Sequence, residues 1–184
     1  MLKKFFLLLL LIAGLHWLNA CCGDSKPYFD YSKLSIVSNL LVLTPSNDTV
    51  VTLRVSPDEI EYLASTRISA FSTPVYGGNC PQSGEEGPKY AMSAIEILAD
   101  KDFNDTLPAG APLTALFYDG RSSTSNKPLN DNIADLEFIL PNWDFVAYTP
   151  YKPKQIDQTF QLTVKVTKAD GSVAQGKVNG VKFR

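Results

Sequence analysis

Short apolar runs alternate with polar positions along most of this chain, and clusters of Gly, Pro, Asn, Asp and Ser separate the runs. That period belongs to strands with one buried face. Leu34 to Leu43 and Thr49 to Val55 flank the turn-forming stretch Thr44-Pro45-Ser46-Asn47-Asp48, which predicts a hairpin or a sharp corner. Ser56-Pro57-Asp58-Glu59 fits a capping box with Pro at the first helical position, so a short helix and a strand both suit Ile60 to Ala64. Continued alternation from Thr66 to Phe71 favours the strand. Residues 73 to 88 carry four Gly and three Pro and read as a long irregular loop. Tyr90 to Leu98 is the next predicted strand, with Ala91, Ser93, Ile95 and Ile97 on one side. Leu113 to Tyr118 and Leu136 to Leu140 are further short strands, joined by a polar connection over 120 to 132, and Asn142 to Val146 is a strand or bend leading into Pro150 to Pro153.

The clearest pattern is near the C-terminus, where Phe160, Leu162, Val164 and Val166 alternate with polar residues over a full strand. Asp170-Gly171 suggests a two-residue hairpin turn, but that register sets Val166 against Gln175 and Val164 against Lys177. A three-residue loop of Ala169, Asp170 and Gly171 instead places Val166 opposite Ala174 and Leu162 opposite Val178, with Gly171 supplying the positive φ of a bulge. Many short strands, frequent turns and little helix predict an all-β fold, an antiparallel immunoglobulin-like β-sandwich with long loops, with a small β-barrel as the alternative.

The first residues look different. Lys3 and Lys4 precede an apolar run, and the uncharged stretch from Phe5 to Ala20 counts 16 residues, short of the roughly 20 that span a bilayer. That is the pattern of a secretory signal peptide over 1–20. Leu18-Asn19-Ala20-Cys21 resembles the lipobox of bacterial lipoproteins, and the resemblance makes Cys21 the lipidated residue; Cys22 would have Asn19 where the motif wants an aliphatic side chain. A diacylglyceryl cysteine carries two chains and anchors stably. Residues 21–32 then read as lipidated Cys and tether, and 33–184 as one domain, although Tyr28, Phe29 and Tyr31 would also suit a first strand beginning at Tyr28.

Removing Lys3 and Lys4 from the 17 basic residues leaves 15 against 19 acidic ones, so the mature chain is mildly acidic. Without basic runs it has no source for phosphate neutralisation, and nucleic acid is not an expected partner. The single His, His16, lies in the signal. Its loss excludes Ser-His-Asp and Cys-His catalysis and His-ligated metal sites.

Cys21-Cys22-Gly23-Asp24, Tyr76-Gly77-Gly78-Asn79-Cys80-Pro81 and the run Ile95 to Asn104 followed by Pro108-Ala109-Gly110 resemble the small lipoproteins of gut Bacteroidetes grouped as a domain of unknown function. The resemblance implies a β-rich envelope protein, anchored in the outer membrane, with no assigned substrate. An acidic export tag after the modified cysteine often marks surface exposure in that phylum; here only Asp24 precedes Asp30, which leaves a periplasmic and a surface orientation both open.

Candidate chemistry is sparse. Cys22 and Cys80 are the thiols left in an oxidising compartment; pairing them would contribute about 4 kcal/mol in the chain-entropy model, and two free thiols are the alternative. Asp100, Asp102 and Asn104 have the oxygen spacing of a calcium loop, but Asp105 replaces its Gly and Ala111 its Glu, so a solvated strand end is expected and no metal. Trp143, Phe145, Tyr148 and Tyr151 could stack on sugar rings beside Asn142 and Asp144, or simply fill the core. Asp58 with Glu61, and Glu85 with Glu86, are carboxylate pairs in polar turns, where solvation is the ordinary role. Asp48-Thr49-Val50 and Asp105-Thr106-Leu107 resemble the Asp-Thr-aliphatic acceptor of Bacteroidetes O-glycosylation, which would make Thr49 and Thr106 the modified residues.

The expectation is therefore a non-enzymatic lipid-anchored envelope protein, without cofactor, that presents a β-domain to a protein or glycan. A fimbrial-type subunit exchanging strands, and a glycosidase built on carboxylates alone, are the competing classes.

Overall fold

The computed structural model describes residues 26–38, 51–63, 83–120, 128–135, 145–155 and 157–183. The protein is all-β, with one sheet curled into a half-barrel. Its strands are β1 (Tyr28–Ser38), β2 (Val51–Leu63), β3 (Gly87–Pro88), β4 (Met92–Ala99), β5 (Tyr118–Asp119), β6 (Phe145–Thr149), β7 (Thr159–Lys168) and β8 (Val173–Lys182). The order across the sheet is β4-β7-β8-β1-β2-β6-β5, with β3 added in parallel to β1. Hydrogen bonding thus runs through one continuous sheet and does not divide the described strands into two separately bonded layers. Phe29, Leu53, Ile97, Phe145, Leu162 and Val181 are among the residues that fill its concave side.

The C-terminal hairpin has the register expected from its alternation. Val166 faces Ala174 and Leu162 faces Val178. The Lys168 N–H donates to the Ser172 carbonyl at 2.8 Å and the Gly171 N–H to the Lys168 carbonyl at 2.9 Å, closing the loop Ala169-Asp170-Gly171 with Gly171 at φ 85°. Toward its far end β8 carries an extra residue opposite the step from Phe160 to Leu162. Buried positions shift there from Ala174 and Gly176 to Val181 and Phe183, and Phe160, Phe183 and Phe103 meet as an aromatic triad with centroids 5.2 to 6.3 Å apart.

The sheet bends at a corner in β1 and β2. Phe29 and Tyr31 are buried on odd positions, then Leu34 and Ile36 turn inward on even ones. Pairing with β2 keeps a constant register across this change, so both strands rotate together, and Glu59, opposite Ser32, has φ 51°. The Glu59 carboxylate accepts from Ser32 Oγ at 2.7 Å and from Lys33 Nζ, bracing the corner from outside. Inside, β8 comes against it: Lys33 pairs in parallel with Gln175, and a Cβ at Gly176 would stand 2.1 Å from the Leu34 carbonyl oxygen. Only glycine fits at that position.

Lys168 ties the same strands. It continues the inward-facing series of β7 and its side chain is 4% exposed. Its ammonium donates to Asp30 Oδ1 at 2.5 Å and to the Tyr31 carbonyl at 3.0 Å, and lies 4.9 Å from the centre of the Tyr31 ring.

Several expectations are corrected. Residues 28–32 belong to β1, not to a tether, because the Gly84 and Glu86 N–H groups bind the Lys26 and Pro27 carbonyls and β3 pairs with Tyr28 and Phe29. The loop expected over 73–88 therefore ends in an ordered turn and strand. The one-sided pattern of β4 fails at its start: the register shifts between Met92 and Ala94, leaving Ser93 as a bulge that donates to the Thr167 carbonyl at 3.0 Å. Leu113 to Tyr118 is largely a 3₁₀ turn over Thr114–Leu116, not a strand. There Thr114 Oγ1 accepts the Ile97 N–H at 2.9 Å and the Leu113 N–H donates to the Ile97 carbonyl at 2.7 Å, so a side chain and a turn cover the edge of β4. Ser56 to Glu59 lies within β2 and forms no helix. The turn at 44–48 and the runs at 66–71 and 136–140 lie outside the described residues.

Two stability predictions follow from the corner. Gly176→Ala should cost roughly 3 kcal/mol or more in urea unfolding because backbone must move, whereas Gly171→Ala, strained in φ but in open space, should cost about 1 kcal/mol. Asp30→Ala should cost roughly 3 kcal/mol by leaving the Lys168 charge buried. Lys168→Met keeps the stem and removes that charge; a Lys168→Met loss equal to or above that of Asp30→Ala would contradict the assignment.

Candidate binding groove and tyrosine cluster

The segment after β4 is shaped by its own polar side chains. Asp100 Oδ1 accepts the Gln161 N–H at 2.8 Å, Asp102 Oδ1 the Ala109 N–H at 2.7 Å, and Asn104 Oδ1 the N–H groups of Thr106 and Leu107 at 3.0 and 2.9 Å. The three oxygen-bearing residues with calcium-loop spacing thus each spend an oxygen on backbone N–H groups. Among the described residues no group of three His, Cys, Asp or Glu side chains is placed to hold a metal. The expected solvated strand end is a set of turn caps.

Phe103 roots this segment in the aromatic triad, and its carbonyl accepts the Lys154 N–H at 2.9 Å. That bond brings Lys154, Gln155 and Gln158 alongside 101–109. Between them lies an open groove of about 600 Å³. Lys101, Asp102, Asn104, Asp105, Lys154 and Gln158 line it, with Gln155, Pro108 and Ala109. Lys154 Nζ meets Asp105 Oδ1 at 2.6 Å, and Lys101 Nζ donates to the Thr159 carbonyl at 2.7 Å. Thr106 sits beside the groove on an exposed turn, its hydroxyl on Asn104 Oδ1 at 2.8 Å.

Tyr151 begins the other wall's approach. It lies three residues before Lys154, at most about 10 Å along the chain. Tyr118 on β5 faces Tyr148 on β6, with ring centroids 5.7 Å apart, and stacks on Tyr151 at 6.5 Å with an interplanar angle of 22°. The hydroxyls of Tyr118 and Tyr151 are 3.3 Å apart, and Tyr151 is 45% exposed. The hydrogen bond between the Tyr118 and Tyr151 hydroxyls holds the Tyr118 phenol above its ordinary range, with desolvation adding to it. Burial first, then the Asp119 carboxylate, raises the Tyr148 phenol.

The four aromatics that the sequence offers either as a sugar platform or as core therefore divide. Phe145 is fully buried in the core and Tyr148 is buried on the other face, since every residue of β6 is covered. Tyr151 alone of the four is exposed among the described residues, and its stacking partner is Tyr118, outside the sequence-predicted cluster. Trp143, Thr49, Cys21, Cys22 and Cys80 lie outside the described residues. The carboxylates of Asp58, Glu61, Glu85 and Glu86 are exposed and do not line the groove.

A second, smaller cleft of about 270 Å³ lies over the corner, between Asp30, Glu59, Glu61 and Asp170. Lys33 and Ser32 hold the Glu59 carboxyl below its usual range, and the Ser172 hydroxyl and N–H do the same for Asp170. These groups brace the fold.

No protein-family model matches this chain, and no curated protein and no solved structure matches it.

Three tyrosine phenols give a pH prediction. Tyr31, Tyr118 and Tyr148 all have phenols raised above the ordinary 10.0, Tyr31 chiefly by burial and then by Asp30 and Asp170. A raised folded pKa means the native state holds its protons longer than the unfolded chain. Their contribution is thus complete below pH 10 and is lost as pH rises from there through the folded values. Ultraviolet titration of tyrosinate should show a late-ionising class that disappears in urea; tyrosines that all titrate at their ordinary value in the native protein would contradict it.

Proposed function

We propose that this chain is a non-enzymatic, lipid-anchored protein of the cell envelope, held in the outer membrane through Cys21, that presents its β-domain to a glycan or protein partner. In this proposal the facing limbs of the curled sheet serve as the layers of an immunoglobulin-like sandwich.

One geometric relation carries it. The described chain enters at Lys26 and Tyr28, beside the end of β7 where Lys168 meets Asp30. The groove lies at the opposite end of β7, where Lys101 reaches Thr159. Ten residues of strand separate those ends, a distance of about 33 Å. An anchor at the N-terminus therefore holds the groove and the Tyr151 platform away from the membrane, which is the placement a displayed binding site needs. The covered edge of β4 favours display over strand exchange, since a donated strand needs unpaired N–H and C=O groups along an edge.

Mass analysis of the N-terminal peptide, with protease digestion of intact and lysed cells, tests this. Acylated Cys21 is expected, together with a domain whose cleavage depends on which side of the membrane it faces: on intact cells if surface-exposed, after lysis alone if periplasmic. An unmodified Cys21 in a protein recovered from the culture medium would overturn the anchor.

A further inference from the structure

We infer that the groove between residues 101–109 and the side chains of Lys154, Gln155 and Gln158 is a binding site for a neutral oligosaccharide, with Tyr151 as its stacking platform. This rests on reading the membrane-distal end of the sheet as the interaction face.

The lining decides the ligand class. Lys101 and Lys154 balance Asp102 and Asp105, so the groove has no net charge to select an ion. Donors and acceptors are interleaved, and Pro108 and Ala109 are its apolar members. Turn formation uses one oxygen each of Asp102 and Asn104, leaving the second Asp102 oxygen and the Asn104 amide nitrogen as a further acceptor and donor. Hydroxyl groups, which donate and accept at once, match such a lining; an apolar ligand or a strong anion does not. The volume of about 600 Å³ is within the range of ligand sites.

Gln158 provides a separate indication. Its amide nitrogen donates to Gln155 Oε1, while its own Oε1 is buried with no hydrogen-bond partner. A buried acceptor left unmatched is unfavourable. A ligand hydroxyl that draws the Gln155–Gln158 amide pair outward satisfies that oxygen. Stacking on the exposed ring of Tyr151, about 10 Å along the chain, extends the site beyond one sugar unit. Binding without hydrolysis is what the carboxylates allow, because Asp105 is paired with Lys154 and Asp102 holds its turn.

Isothermal titration of the full-length lipoprotein in detergent with maltohexaose, laminarihexaose, mannohexaose and chitohexaose tests the site. Saturable binding of at least one is expected, weakened about tenfold by Gln158→Ala and several-fold by Tyr151→Ala. Lys154→Ala, at an exposed position, should weaken it as well and serves if Gln158→Ala lowers the melting temperature. Absence of saturable binding by all four at about millimolar concentration, or binding that the groove variants leave unchanged, overturns the inference. Titration in solution is independent of the anchor, so its failure leaves the display proposal standing, and an unmodified Cys21 leaves the titration result standing.

Discussion

The contact of the Gly176 backbone with the Leu34 carbonyl is the constraint on which the rest of this structure depends. It lets β8 come directly against β1 at the point where β1 and β2 exchange their inward and outward faces. Any side chain at Gly176 would hold apart the strands at which β4-β7-β8 joins β1-β2-β6-β5, and so disturb the core the two parts share. Polar groups secure the junction on both sides. Glu59 gathers Ser32 and Lys33 on the outer surface, and Lys168 gathers Asp30 and the Tyr31 carbonyl within. A lysine at an inward position is tolerated because its ammonium has a carboxylate, a carbonyl and an aromatic face as partners.

The far end of the sheet is organised by different forces. There the extra residue in β8 turns Val181 and Phe183 inward, and Phe183 packs edge to face against Phe103 and Phe160. This apolar plug fixes Phe103, and Phe103 in turn fixes two loops, one through its neighbours Asp102 and Asn104 and one through the Lys154 N–H. The groove is thus a polar surface on an apolar foundation, and its shape follows from the strand ends beneath it.

Much of the hairpin was legible in the sequence, since Phe160 to Val166 alternate cleanly and Gly171 selects the loop length that keeps apolar partners opposed. The same rule of alternation hid Lys168, whose position in the series calls for an apolar residue, and it missed the bulge at Ser93, where an extra residue breaks the period. Phe145 and Tyr148 were candidates for a surface platform, yet the unbroken apolar run Phe145-Val146-Ala147-Tyr148 carries the mark of a strand covered on both faces, between β2 and β5. The groove itself had no local signature. Asp102 and Asn104 stood out by spacing, which records their turn-capping, whereas their juxtaposition with Gln155 and Gln158 arises from one long-range backbone bond and a shared aromatic core.

The parallel arrangement of β1 and β8 also has a mechanical meaning. A pull applied at the N-terminal end of β1 and at Phe183, just past β8, acts on opposite ends of neighbouring strands that run in the same direction. Such a pull shears β1 along β8 instead of unzipping them from one end, so the Lys33–Gln175 pairing, the Gly176 contact and the Lys168–Asp30 clasp are strained together. The close packing that shapes the half-barrel also places its resistance to tension along the line from the start of β1 to the end of β8.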